Sequence, residues 1–95
     1  AAVIILSDQV LTEMQPMLDI GAAMQTFCLA ALEYGLGTCI ADQGIQFPEV
    51  IRAHTNIPAT KLMVISVSVG YPNWDFPANQ LTTPREPIQN ITSWY

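Results

Sequence analysis

The apolar positions fall into separate runs divided by polar or glycine-rich turns. "AVIIL", Ala2 to Leu6, is continuous and largely β-branched, which reads as a strand covered on both faces. "SDQVLTEMQPM" follows as a polar connection, with at most a helical turn ended by Pro16. Asp19 is placed to N-cap a long helix from Ile20 to Tyr34. Ile20, Ala23, Met24, Phe27, Cys28, Ala31 and Leu32 recur there at helical spacing. Ala22, Leu29 and Ala30 lie off that stripe, so the helix is apolar around most of its circumference and belongs inside a structure. Gly35 and Gly37 stop it. "TCIAD" reads as a short strand, and "FPEVIRAHTNI" as a short amphipathic helix entered through Pro48. "KLMVISVSVGY" is a second long buried strand, closed by Gly70. From Asn73 to Tyr95 the period is lost, and Pro77, Pro84 and Pro87 favour an extended arm. Strand, helix, strand, helix, strand and arm together predict an α/β or α+β layer in which helices cover a sheet.

Composition changes this picture in one respect. The chain has 95 residues, one domain or part of one, of which 51% are hydrophobic and only 12% charged. Mean hydropathy is +0.31. A free-standing domain this small needs more charge to cover itself. The apolar excess therefore predicts a surface covered by a partner subunit, a ligand or another part of the same chain. The start, "AAVIILSD", enters strand-like sequence at once without a methionine, which reads as a fragment.

Charge excludes several functions. Eight carboxylates face Arg52, Lys61 and Arg85, for a net charge of -5. Three scattered cations make no basic face for nucleic acid or for an anionic membrane. Asp19, Gln25 and Glu33 interrupt the longest apolar run, which argues against a membrane span, and no basic region precedes "AAVIIL" as in a signal peptide. Cys28 and Cys39 form no CxxC pair and cannot complete a zinc site with the single His54, so both are expected as buried, reduced thiols of a cytoplasmic protein. His54 is expected at the surface or an interface. No Ser/His/Asp set, paired carboxylates or phosphate-binding glycine loop occurs, so hydrolase and kinase chemistry have no support.

Three segments, in order and at matching spacing, resemble the FMN-dependent nitroreductase family. They are "DIGAAMQTFCLAALEYGLGTC" (Asp19 to Cys39), "FPEVIRAHTNIPATKLMVISVSVGYP" (Phe47 to Pro72) and "PANQLTTPREP" (Pro77 to Pro87). The resemblance covers nearly the whole chain and implies a partial α+β fold of the three-layer α/β/α nitroreductase type. Residues 1–72 would supply part of the core and 73–95 the arm. It further implies the C-terminal half of a longer enzyme, an intertwined homodimer with FMN at the subunit interface, and a cytoplasmic location. NAD(P)H would be the co-substrate, and a nitroaromatic, quinone or related small molecule the electron acceptor.

The same resemblance assigns the site residues, all for cofactor binding; it assigns no catalytic side chain and no metal ligand. Arg85 would grip the FMN phosphate, a dianion that a guanidinium can engage through two oxygens. Pro84 and Pro87 stiffen its segment. By residue type alone Arg85 reads rather as an ordinary surface arginine in a proline-rich tail, and the resemblance reverses that balance. Asn79 would bond the phosphate side or brace the arm. Ile40 and Ala41 would pack on the isoalloxazine ring, while Asp42 or Gln43 aims a backbone N–H at N5 and the Asp42 carboxylate points away. Read as plain sequence, "CIADQGI" is also an ordinary strand-to-helix loop. Trp74 and Phe76 would meet the partner's groove. The alternatives are another flavin chemistry on the same fold, such as reductive dehalogenation, or a non-catalytic module that binds flavin or dimerises. A third is an α/β interaction domain without cofactor.

Overall fold

In the computed structural model, which describes residues 1–11 and 13–95, the apolar runs assemble into one antiparallel sheet. Its strands are β1 (Ala2–Asp8), β2 (Gly37–Ala41) and β3 (Lys61–Gly70), ordered β1-β3-β2. β3 takes the centre because its ten residues give both neighbours a partner; β1 and β2 each run antiparallel to it. The helices are α1 (Met14–Glu33), α2 (Pro48–His54) and the single turn α3 (Ile88–Ile91). Two 3-10 turns span Gln43–Ile45 and Pro77–Gln80. The class is α+β, and the element order is the one the apolar pattern predicts.

Pairing sets which side chains share a face, because residues directly opposite in an antiparallel pair point the same way. Val67 lies between Val3 on β1 and Ile40 on β2, and it is completely buried. Ser66 points to the other face, between Ile4 and Ala41, and is also buried. A register shift between Ile5 and Leu6 leaves Val64 without a partner on β1. The bulge interrupts strict alternation along β3 at Val64. Both outer strands are edges of this sheet, so β1 is only half-buried from Val3 to Leu6.

Three expectations need correction. The long helix begins at Met14, six residues before Ile20, and Asp19 lies within it instead of capping it. Pro16 does not end a turn; it occupies the first turn of α1, where backbone N–H groups have no intrahelical partner to lose. Cys39 is exposed, whereas Cys28 is buried as expected. Cys39 stands on the edge strand β2 opposite Ser68, itself exposed, so nothing among the described residues covers that position. The C-terminus of α1 ends as expected. Gly35 adopts φ +68°, its N–H bonds Leu32 O, and Leu36 N–H reaches back to Ala31 O. That is a Schellman stop, and the positive φ favours glycine.

Very little of the chain's apolar content is covered by the chain itself. Cys28, Ala31, Met63 and Val67 are its only buried hydrophobic residues among those described. Leu18, Leu29 and Leu32 remain exposed on α1, as do Trp74, Phe76, Leu81, Ile88, Ile91 and Trp94 on the arm. The radius of gyration is 16.6 Å, against about 12 Å for a close-packed domain of this length. No helix among the described residues is long and apolar enough to cross a membrane.

Two of the three cations hold the backbone together. Arg52, on α2, donates from Nη1 to Ile57 O (3.0 Å) and Pro58 O, and from Nη2 to Lys61 O (2.5 Å). It thus ties α2 to the turn that leads into β3. Lys61 pairs with Asp8 across the β1–β3 edge at 2.5 Å, partly exposed on both sides. An exposed pair of this kind contributes at most about 1 kcal/mol, whereas charge-assisted bonds to half-buried carbonyls contribute about 1.5–3 kcal/mol each way they are lost. Arg52→Ala should therefore lower the unfolding free energy of the intact protein by about 2 kcal/mol, and Lys61→Met by under about 1 kcal/mol, in urea denaturation. Equal effects would contradict the ranking.

Candidate functional site

The chain leaves β2 through Ile40 and Ala41 and turns at once into the 3-10 segment Gln43–Ile45. Ile40 faces the same way as Val67 yet is 45% exposed, because β2 is an edge. Ala41 faces the opposite way, with Ser66, and is half-buried. The two side chains therefore leave the edge strand on opposite faces of the sheet. Asp42 and Gln43 are exposed, and the Asp42 carboxylate makes no capping bond to the turn it precedes. Asp42 O and Gln43 O accept from Ile45 and Gln46 N–H, closing the turn.

This loop is fastened to the central strand by a contact that sequence reasoning missed. Gly44 lies so close over Ser66 that a Cβ there would sit 2.0 Å from Ser66 Oγ and 2.9 Å from its Cβ. No side chain fits such a gap. Beside it, Ser66 Oγ–H donates to Ala41 O at 2.5 Å. A serine on the polar face of β3 and a glycine in the loop thus hold the Ala41–Ile45 backbone against the sheet. The signal in the sequence is the serine period of "VISVSV", which marks the face the loop approaches.

The arm leaves β3 at Gly70 and folds back over the opposite end of β2. A shallow, open depression of about 470 Å³ there is lined by residues that include Gly37, Thr38, Cys39, Asn73 and Asn79. Of the two roles open to Asn79, the one visible in this chain is bracing: its Nδ2 donates to Asn73 O at 2.7 Å. Arg85 lies further along, exposed. Its Nη1 donates to Thr83 Oγ1 (2.5 Å), and to Thr83 O and Pro84 O (both 3.3 Å). Among the described residues no carboxylate pairs with it, and its Nε and Nη2 groups donate to nothing.

That donor set fits the phosphate of a flavin mononucleotide. Arg52 and Lys61 are committed to the backbone and to Asp8. Arg85 keeps the Nε/Nη2 edge of its guanidinium free, the geometry that grips two phosphate oxygens together. The loop and the arm are, however, separate features here. Ser66 gathers Ala41 and Gly44, and the depression gathers Asn79 with the start of β2. No hydrogen bond or ion pair among the described residues joins Arg85 to either. No group of three or more potential metal ligands occurs among them.

Comparison with known proteins identifies the family and the fold. A model of the nitroreductase family matches residues 2–71. A 4-nitrobenzoate reductase from Nocardioides sp. (strain LMS-CY) is 33% identical over 72 residues, 76% of this chain and 29% of that protein. A 4-nitrobenzoate reductase from Pseudomonas putida is 32% identical over 75 residues, 79% of this chain and 33% of that one. The chain thus spans about a third of the curated relatives it matches. Among solved structures, the FMN- and NADPH-dependent nitroreductase NfnB from Sphigopyxis sp. strain HMH superposes with a TM-score of 0.85 at 18% identity. The match covers 99% of this chain and 42% of NfnB, and a variant of NfnB gives the same TM-score. At that identity the likeness establishes the fold.

The Gly44–Ser66 contact makes its own prediction. Gly44→Ala should destabilise the intact protein by about 1–3 kcal/mol, the usual cost of forcing atoms into a filled site. Combining it with Ser66→Gly should cost less than the two changes summed, because the second makes room for the first. Strict additivity in thermal or urea unfolding would show that the loop does not rest on Ser66.

Proposed function

Since this chain belongs to the nitroreductase family, we propose that it forms the C-terminal part of an FMN-dependent oxidoreductase that draws electrons from NAD(P)H. The observation that carries this reading is the edge of Arg85 that meets no partner among the described residues, whereas Arg52 and Lys61 are spent on the fold. The two curated relatives are named for the reduction of 4-nitrobenzoate, which favours a nitroaromatic acceptor over quinones. A cytoplasmic setting, where nicotinamide and flavin cofactors are made, suits such an enzyme.

When bound, FMN would supply the redox chemistry between NAD(P)H and the acceptor. The residues of this chain bind and orient. Arg85 engages the phosphate through Nε and Nη2 while its Nη1 contacts to Thr83 and Pro84 hold the guanidinium plane. Ile40 offers exposed apolar surface to one side of the ring, and Ala41 contributes backbone. The Asp42 or Gln43 N–H is the donor for ring N5, held in place by the Gly44–Ser66 contact. A fixed donor of that kind stabilises developing charge without reorganisation. Asp42 keeps its carboxylate in solvent, away from a site that gains negative charge. Asn79 serves the cofactor through the arm.

A second copy of the chain, together with the remainder of each protomer, is the proposed cover for the exposed apolar surface of α1 and the arm. Trp74 and Phe76, both exposed, are the arm's aromatic contribution to that homodimer interface.

The test separates phosphate from ring. In the intact protein, Arg85→Ala should weaken FMN binding by about 1–3 kcal/mol, roughly ten- to a hundredfold, in a flavin-fluorescence titration. Riboflavin, which lacks the phosphate, should bind both proteins alike. An intact protein that is colourless and binds no flavin would remove the proposal. Unchanged FMN affinity in Arg85→Ala would remove Arg85 from the site.

A further inference from the structure

The arm is closed upon itself before it reaches Arg85, and the closure centres on one residue, Asn73. Asn73 O accepts from both Phe76 N–H (3.2 Å) and Asn79 Nδ2 (2.7 Å). Asn73 Oδ1 accepts from Asp75 N–H at 3.1 Å, an Asx turn. Phe76 O in turn accepts from Asn79 N–H at 2.9 Å, and Gln80 Nε2 donates to Trp74 O at 3.2 Å. Residues 73–80 therefore form a ring of hydrogen bonds, with Pro77 opening the 3-10 turn inside it.

The root of this ring is seated on the fold. Pro72 and Trp74 line one groove with Leu32, Gly35 and Leu36, where α1 hands over to β2. Beyond the ring the chain makes no further ordered turn until Ile88. Arg85 lies five residues past Gln80, at most about 17 Å of extended chain. Pro84 fixes the backbone just before Arg85, so the direction in which the ring releases the chain limits where the guanidinium can reach.

We propose that Asn79 is a positioning residue whose side-chain bond to Asn73 O closes the 73–80 ring and thereby aims Arg85 at the phosphate of bound FMN. This rests on the FMN reading given above and adds to it the device that sets the arm's course. Nothing in the ring touches the ring system or the phosphate in this account. Its contribution is a lower entropic cost when the arm docks, because an arm released in one direction loses less freedom than one hinged loosely at Gly70.

A general loosening of the structure would weaken all flavins alike; an error in aiming Arg85 weakens only the phosphorylated one. In the intact protein, Asn79→Ala should reduce the preference for FMN over riboflavin about three- to tenfold, the range for one lost hydrogen bond. Asn79→Asp, which keeps the shape and loses the donor, should do the same. In an Arg85→Ala background neither change should reduce the preference further, since both act through the same group. In the flavin-free protein, hydrogen exchange at the Asp75, Phe76 and Asn79 amides should quicken in Asn79→Ala. Equal losses for FMN and riboflavin, an undiminished effect without Arg85, retention in Asn79→Asp, or unaltered exchange would each overturn the proposal. Arg85→Ala measured alone separates this idea from its premise. If that change leaves the preference for FMN intact, the FMN reading of Arg85 falls, and with it the aim assigned to Asn79. If it abolishes the preference while Asn79→Ala does not alter it, only the positioning role falls.

Discussion

A guanidinium edge left free on a chain with three cations is the constraint from which the functional account follows. Positive charge is scarce here, and the fold consumes most of it. Arg52 closes the turn before β3 on three carbonyl oxygens, and Lys61 stitches β1 to β3 through Asp8. Among the described residues Arg85 is held by its own neighbours, Thr83 and Pro84, through Nη1. In a protein of net charge -5, a dianionic ligand meets repulsion from most of the surface. The proposed bidentate, charge-assisted grip at Arg85 would then both make binding favourable and decide where it occurs.

The other half of the site follows from packing. Gly44 against Ser66 leaves the loop after β2 one way to run, and the Ser66 hydroxyl fixes its first carbonyl. Loop and arm are thus each anchored to the same sheet, at opposite ends of β2. The chain by itself does not bring them together. With four buried hydrophobic side chains among the described residues and many exposed ones on α1 and the arm, it leaves a large apolar surface uncovered. The proposed homodimer would meet both needs, covering the apolar surface and bringing the two anchored features to one ligand.

Much of the fold was legible because its signals are local. The β-branched run of β3, Pro48 at the start of α2 and Gly35 after α1 each mark an element through backbone preference. The start of α1 was missed because Pro16 reads as a breaker, although a proline in the first turn removes no hydrogen bond. Cys39 was misplaced because burial of an edge strand depends on what lies beside the sheet, which the local pattern does not encode. At the site, Arg85 stood out through its rarity and the flanking prolines. Asn79 was also picked out, with bracing the arm as one of its two roles, but its partner Asn73 was not, and Gly44 over Ser66 did not stand out because only the folded backbone brings those two segments into contact.

The central claim concerns one pair of groups, so its most direct test is a crystal structure of the intact protein bound to FMN. The account predicts Nε and Nη2 of Arg85 about 2.7–2.9 Å from two phosphate oxygens, with the Thr83 contact to Nη1 retained. It would be contradicted by an FMN phosphate held by other groups while the guanidinium of Arg85 stays in solvent with only Thr83 and Pro84 for company.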